Sequence, residues 1–278
     1  MTRLSALLVL LAPLAAFGQE SSDLHPYLAS KFFTSLGMFF PDQAMKLGFD
    51  ASIEVPEAGT APFIDFSETF SFSDSDEAFS AEFGWRFAEN WQLRGQYFRV
   101  DNESTVTLEQ DIEWGDVEYN TGTSVGAGSD MQITRLFFGR TVRSSSSREF
   151  GLGIGGHILD LSAYIEGHAS INDADVGYRK ERASIAQPLP NFGAWYEHAF
   201  DSNWAARLRF DWLSASVGKY DGRIINSSAS IGYAIGDHFG LALAYNYFEL
   251  AVDVDDGDWQ GRVKLRFDGP YIALTGYW

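Results

Sequence analysis

Alternation with a period of two runs through most of this chain and repeatedly sets a bulky apolar row against a polar or small one. In FSAEFGWRF, Phe79, Ala81, Phe83, Trp85 and Phe87 share one face, while Ser80, Glu82, Gly84 and Arg86 share the other. NWAARLRFDW sets Trp204, Ala206, Leu208, Phe210 and Trp212 against Ala205, Arg207, Arg209 and Asp211. FGLALAYNYF opposes Leu241, Leu243, Tyr245 and Tyr247 to Ala242, Ala244 and Asn246, and RVKLRFD opposes Val263, Leu265 and Phe267 to Lys264, Arg266 and Asp268. Successive side chains of a strand point to opposite faces, so each stretch predicts a strand with one greasy side. Rows this large need cover, and no part of the chain encodes helices or a second sheet to supply it. Lipid can supply it, provided the sheet closes and every backbone group finds a partner.

The start of the chain is consistent with export. Residues 1–18, MTRLSALLVLLAPLAAFG, combine one positive charge at Arg3, an apolar run and small residues at Ala16 and Gly18, the layout of a secretory leader. Cleavage after Gly18 leaves a short periplasmic segment at 19–29 and a single domain over 30–278. No later stretch reaches the ~18 apolar residues of a membrane-spanning helix. A formal charge of -18 argues against a nucleic-acid partner, since phosphate binding needs a basic surface. Cysteine is absent, so disulfides contribute nothing to stability.

Turns recur in a weak repeat: FAENWQL at Phe87, FDSNWAARL at Phe200, IGDHFGLAL at Ile235 and, more loosely, RSSSSREF. Each reads as a tight hairpin between strands. Longer polar connections are expected between them, at 101–130, 167–179, 217–222 and 253–258, so short and long connections alternate. Phe87, Trp91, Phe200, Trp204 and Phe239 flank the short turns and would form an aromatic girdle on that side. The chain also ends there, on Trp278.

In the closing stretch PYIALTGYW, Ile272, Leu274, Gly276 and Trp278 form an outward row ending in an aromatic residue. Through this ending and the alternation of its turns, the chain resembles the outer-membrane β-barrel proteins of Gram-negative bacteria. The resemblance implies an all-β fold, a transmembrane antiparallel up-and-down barrel placed in the outer membrane after export through the periplasm. It implies outer-membrane lipids and lipopolysaccharide as surroundings, and a barrel-assembly machinery that reads Ile272, Leu274 and Trp278. With both ends periplasmic the strand number is even. Nine strands are legible from Phe79 onward. If residues 31–55 are one long, bulged strand the barrel has ten, which is the preferred count. If Pro41–Gln43 is a turn and FIDFSETFSF a separate strand, it has twelve.

Greasy rows facing lipid would turn Glu82, Arg86, Arg94, Glu197, Arg207, Arg209, Asp211, Lys264, Arg266 and Asp268 into the lumen. Such a cluster is either a basic constriction or an ion network that fills a narrow barrel. The acidic stretch from Asp253 lacks the Gly at position six and Glu at position twelve of an EF-hand, and no cofactor or metal site is predicted. His168 and Ser170 form an H-x-S triplet similar to that of outer-membrane phospholipases and lipid A deacylases, and His157, Asp160 and Ser162 resemble the Asp/His chemistry of ten-stranded surface proteases. The expected function is a non-enzymatic barrel, a narrow solute channel or a structural envelope protein. A barrel hydrolase or protease and an acidic-loop binding protein are the alternatives.

Overall fold

The alternating stretches are strands that pair with their neighbours in sequence and then close on themselves. The computed structural model describes residues 24–50, 63–70, 77–114, 117–171, 174–217, 220–255 and 260–278; the leader expected at 1–18 lies outside the described residues. In chain order the elements are α1 (Pro26–Ala29), β1 (Phe32–Phe39), β2 (Asp42–Asp50), β3 (Phe63–Asp65), α2 (Phe66–Thr69), β4 (Ala78–Ala88), β5 (Trp91–Thr107), β6 (Ile112–Trp114) and β7 (Val117–Tyr119). There follow β8 (Ser124–Ser144), β9 (Arg148–Ile171), β10 (Ala174–Ala199), β11 (Trp204–Val217), β12 (Tyr220–Ile235), β13 (Phe239–Asp255) and β14 (Gln260–Tyr277).

β1 pairs antiparallel with β4 on one edge and with β14 on the other, which seals the ring. β2 continues along β14 in the same register: Phe39 faces Tyr271 and Asp42 faces Asp268. Proline has no N–H for a ladder, so Pro41 interrupts the pairing. No extra residue is inserted, so the expected bulge is a simple break, and β1 and β2 are two halves of one wall strand. The wall therefore has ten strands. β3 adds three residues to β2 and leads into α2, after which Phe70 turns inward and is fully buried.

The connections opposite the short turns differ from expectation. β5 continues to Thr107, β8 begins at Ser124, and β9 and β10 extend to Ile171 and from Ala174. Polar sequence there is strand, not loop. The wall rises unevenly, since β10 has 26 residues and the adjoining β11 has 14. The β6–β7 hairpin folds over the taller side, pairing with β9 at Glu118 and Ser170.

Outward apolar rows occupy 79–87, 150–158, 192–200 and 204–212, matching the ~9–11 residues a tilted strand needs to cross a bilayer. Aromatic residues mark both edges of this belt: Phe87, Trp91, Phe200, Trp204 and Phe239 near the short turns, and Phe79, Phe192, Trp212 and Tyr245 at the far edge. Beyond the belt the wall inverts. On β9, Ile158 points out, whereas Leu159, Leu161, Ala163 and Ile165 point in and are buried, with Asp160 exposed outside. β14 inverts too, burying Val263, Leu265 and Phe267 inside. Lys264, Arg266 and Asp268 therefore face outward and are not lumen residues as predicted. The cause is the change of solvent: once the outside is water, apolar side chains gain by turning inward.

Candidate functional site

The lower lumen collects the remaining seven predicted charges. Inward positions of β4 carry Glu82 and Arg86, β5 carries Arg94, β10 carries Glu197, and β11 carries Arg207, Arg209 and Asp211. Two unpredicted charges, Arg135 of β8 and Glu149 of β9, join them and are buried. Glu197 is the hub: Arg94 donates to it at 2.6 Å and Arg86 at 3.1 Å, and Arg207 lies 3.6 Å away. Arg207 also donates to Glu82 at 2.7 Å. Glu149 accepts from Arg86, from Gln92 at 3.2 Å and from the Trp195 indole N–H at 2.8 Å. Arg135 grips Asp211 through two hydrogen bonds of 2.6 and 2.8 Å. Taking charges out of water is tolerable only when they are matched in this way.

Glycine makes the cross-lumen packing possible. Gly139 of β8 and Gly151 of β9 leave the room that Trp195 fills; a Cβ at Gly151 would lie 2.1 Å from the indole. Phe137 fills the lumen beside it, and the Arg135 guanidinium stacks on its ring at 4.5 Å. Above this level the interior is apolar, with Phe98, Ile133, Leu159, Phe248, Leu250 and Leu265 in one buried cluster that also includes Trp114 and Tyr119 of the hairpin.

The N-terminal segment packs into the mouth of the barrel at the short-turn end. Tyr27 of α1 is buried against Phe33 and Tyr277, and its hydroxyl lies 3.5 Å from Arg207. Arg86 donates to the Tyr27 carbonyl at 3.1 Å. The His25 ring accepts the Tyr27 N–H at Nδ1, 3.1 Å away, and Nε2 donates to the Asn203 carbonyl at 3.1 Å, which requires the neutral ring. Burial accordingly holds the His25 pKa below its ordinary value, although the Asn203 carbonyl and the Asp201 charge act the other way. Asp201 caps the same turn, its carboxyl held low by the N–H groups of Trp204 and Asn203. Cavities of ≈ 30 Å³ and ≈ 10 Å³ adjoin Tyr27 and Arg207.

The hydrolytic candidates are not assembled. Ser170 accepts from Asn120 at 3.1 Å beneath the hairpin, and His168 contacts the Tyr178 ring. His157 is buried in the lumen, hydrogen-bonded to Asn226 at 2.9 Å, while Asp160 lies on the opposite face of the wall. Among the described residues no group of His, Asp and Glu is arranged to hold a metal. Ile272, Leu274 and Trp278 point outward, 53%, 55% and 40% exposed.

No protein-family model and no curated protein sequence matches the chain. Similar solved structures include the outer-membrane protease OmpT from Escherichia coli, 10% identical over 93% of this chain and 99% of that one, with a TM-score of 0.57. The toluene transporter TodX of Pseudomonas putida is 8% identical over 89% of this chain and 90% of its own, with a TM-score of 0.37. Ail, the attachment invasion locus protein of Yersinia pestis, is 11% identical over 89% and 97%, with a TM-score of 0.30. Of these three the OmpT likeness bears on the fold, and on the fold alone.

Proposed function

Taking the chain as a ten-stranded β-barrel of the bacterial outer membrane, we propose that it is a non-enzymatic, closed envelope barrel: a wall filled from within that carries a raised extracellular rim. The observation behind this reading is the filled interior. From the periplasm upward, α1 stops the mouth, the guanidinium–carboxylate network crosses the lumen, and an apolar cluster packs the storey above. Of the two interior readings open to the sequence, a structural ion network fits this arrangement better than a basic constriction.

Likeness to a protease at 10% identity carries no activity with it, and His168 and Ser170 have other partners. On this reading the partners are the lipids and lipopolysaccharide around the apolar belt, and the assembly machinery that reads Ile272, Leu274 and Trp278. Planar-bilayer recording tests the closed state. The expected trace is silent at moderate voltage, and stable openings altered by Arg207→Ala would overturn the reading in favour of a channel.

A further inference from the structure

The lumen network does not balance. Its guanidinium groups belong to Arg86, which is half-buried, and to the buried Arg94, Arg135, Arg207 and Arg209, and its carboxylates to Glu82, Glu149, Glu197 and Asp211, so one positive charge is in excess among the described residues. Arg209 is where the excess falls. Its nearest carboxylate oxygen, on Asp211, is 3.9 Å away and already accepts from Arg135. Its Nη2 donates to Asn226 at 3.1 Å, a neutral partner, and its Nε is buried with no acceptor.

The ≈ 30 Å³ cavity lies against this group. Ser228 stands opposite Arg209 across the β11–β12 ladder, Ser230 opposite Arg207, and Asn246 opposite Ser228 on β13. Small side chains at Ser228, Ser230 and Ala244 leave the room, and Tyr271 closes it. Arg207 and Tyr271 also line the cavity, the Arg207 Nε 3.6 Å from Glu197 and short of a hydrogen bond, and the Tyr271 hydroxyl with Ser80 beside it. Glu82 reaches the cavity too, but one of its oxygens is engaged by Arg207. The unmet demand is therefore for an acceptor, and for a negative one. A water needs ~10–15 Å³, so the volume suits about two waters or a single halide ion.

We infer that the cavity between Arg209, Ser228 and Tyr271 is a binding site for a small monovalent anion of halide size, which neutralises Arg209 and completes the lumen network. The site stands independently of the closed-barrel reading, because a conducting barrel could carry it equally well.

The test uses bromide. Crystals of the refolded barrel grown in sodium bromide should show anomalous scattering in this cavity. In detergent, the melting temperature should rise with chloride or bromide relative to gluconate at equal ionic strength, and the rise should saturate. Ala244→Leu leaves every charge in place but removes the room, and should lose the anomalous peak and the halide response. Arg209→Gln removes the excess charge and should lose the response while retaining the fold, judged by heat-modifiable migration. Water alone in the cavity of the unaltered protein, an equal response to sulfate, or a halide response unchanged in either variant would overturn the inference. If neither variant folds, the anomalous map of the unaltered protein decides by itself.

Discussion

At the scale of the residue, the last side chain accounts for an oddity in its own row. Trp278 exchanges backbone hydrogen bonds of 2.9 and 2.8 Å with Phe32, so the chain end is tied to the first strand. Its indole folds back over Gly276, where a Cβ would come within 2.3 Å of the ring. Glycine stands in the outward row because the neighbouring indole already fills the place. Gly276→Val should therefore destabilise by ~1–3 kcal/mol through overpacking, measured by urea unfolding in detergent, and adding Trp278→Ala should recover most of the loss. A neutral single substitution would refute the packing argument. The buried Arg135–Asp211 pair makes a second case. Asp211→Asn should cost ~3–5 kcal/mol because it strands a guanidinium, whereas replacing both residues by apolar side chains of similar volume should cost much less. Equal losses in the single and double variants would contradict that asymmetry.

At the scale of the element, α1 depends on a neutral histidine. His25 has a folded pKa below its unfolded value of about 6.5, so the unfolded or undocked segment binds the proton more readily. The stability it contributes is present above that value and is lost as pH falls through 6.5 toward the folded pKa. Asp201 stays ionised through this window and Glu197 also faces the ring, which softens the loss without reversing its sign. Amide exchange at Leu28, Ala29 and Ser30, whose N–H groups bond to the carbonyls of His25 and Pro26, should be several-fold faster at pH 5 than at pH 7.5 relative to the wall strands. His25→Gln should flatten that dependence. The plug itself was not legible in the sequence, since a segment this short carries no periodicity. Strands were legible where a row kept one chemistry, as in β4 and in 204–212 of β11. β14 changes chemistry midway, so Val263, Leu265 and Phe267 read as lipid-facing when they are core. Arg135 was hidden for a related reason: its companions on the inner row, Ile133 and Phe137, are apolar, and no polar row marks its place.

At the scale of the whole molecule, the inversion of the wall makes one barrel serve two solvents. In the belt, the outside is apolar and the inside polar; above it, the relation reverses, and apart from the break at Pro41 the strands cross the boundary with their ladders continuous. A charge scan along the outward face of β9 reads that boundary directly. Ile154→Arg lies mid-belt and should lose ~2–4 kcal/mol of unfolding free energy in lipid vesicles, while Ile158→Arg, at the belt edge, should lose ~0–1 kcal/mol. Ser162→Arg, above the belt, should be close to neutral. The inward face should give the opposite trend at that height, with Leu161→Arg placing an unpaired charge among packed apolar side chains and disrupting the fold more than any outward substitution. Repeating the scan in detergent micelles, where belt thickness can adjust, should blunt the outward profile and leave the Leu161 effect intact, because that side chain never faces the amphiphile. An outward profile that is flat from 152 to 162 would mean that the bilayer does not begin and end where the apolar rows do.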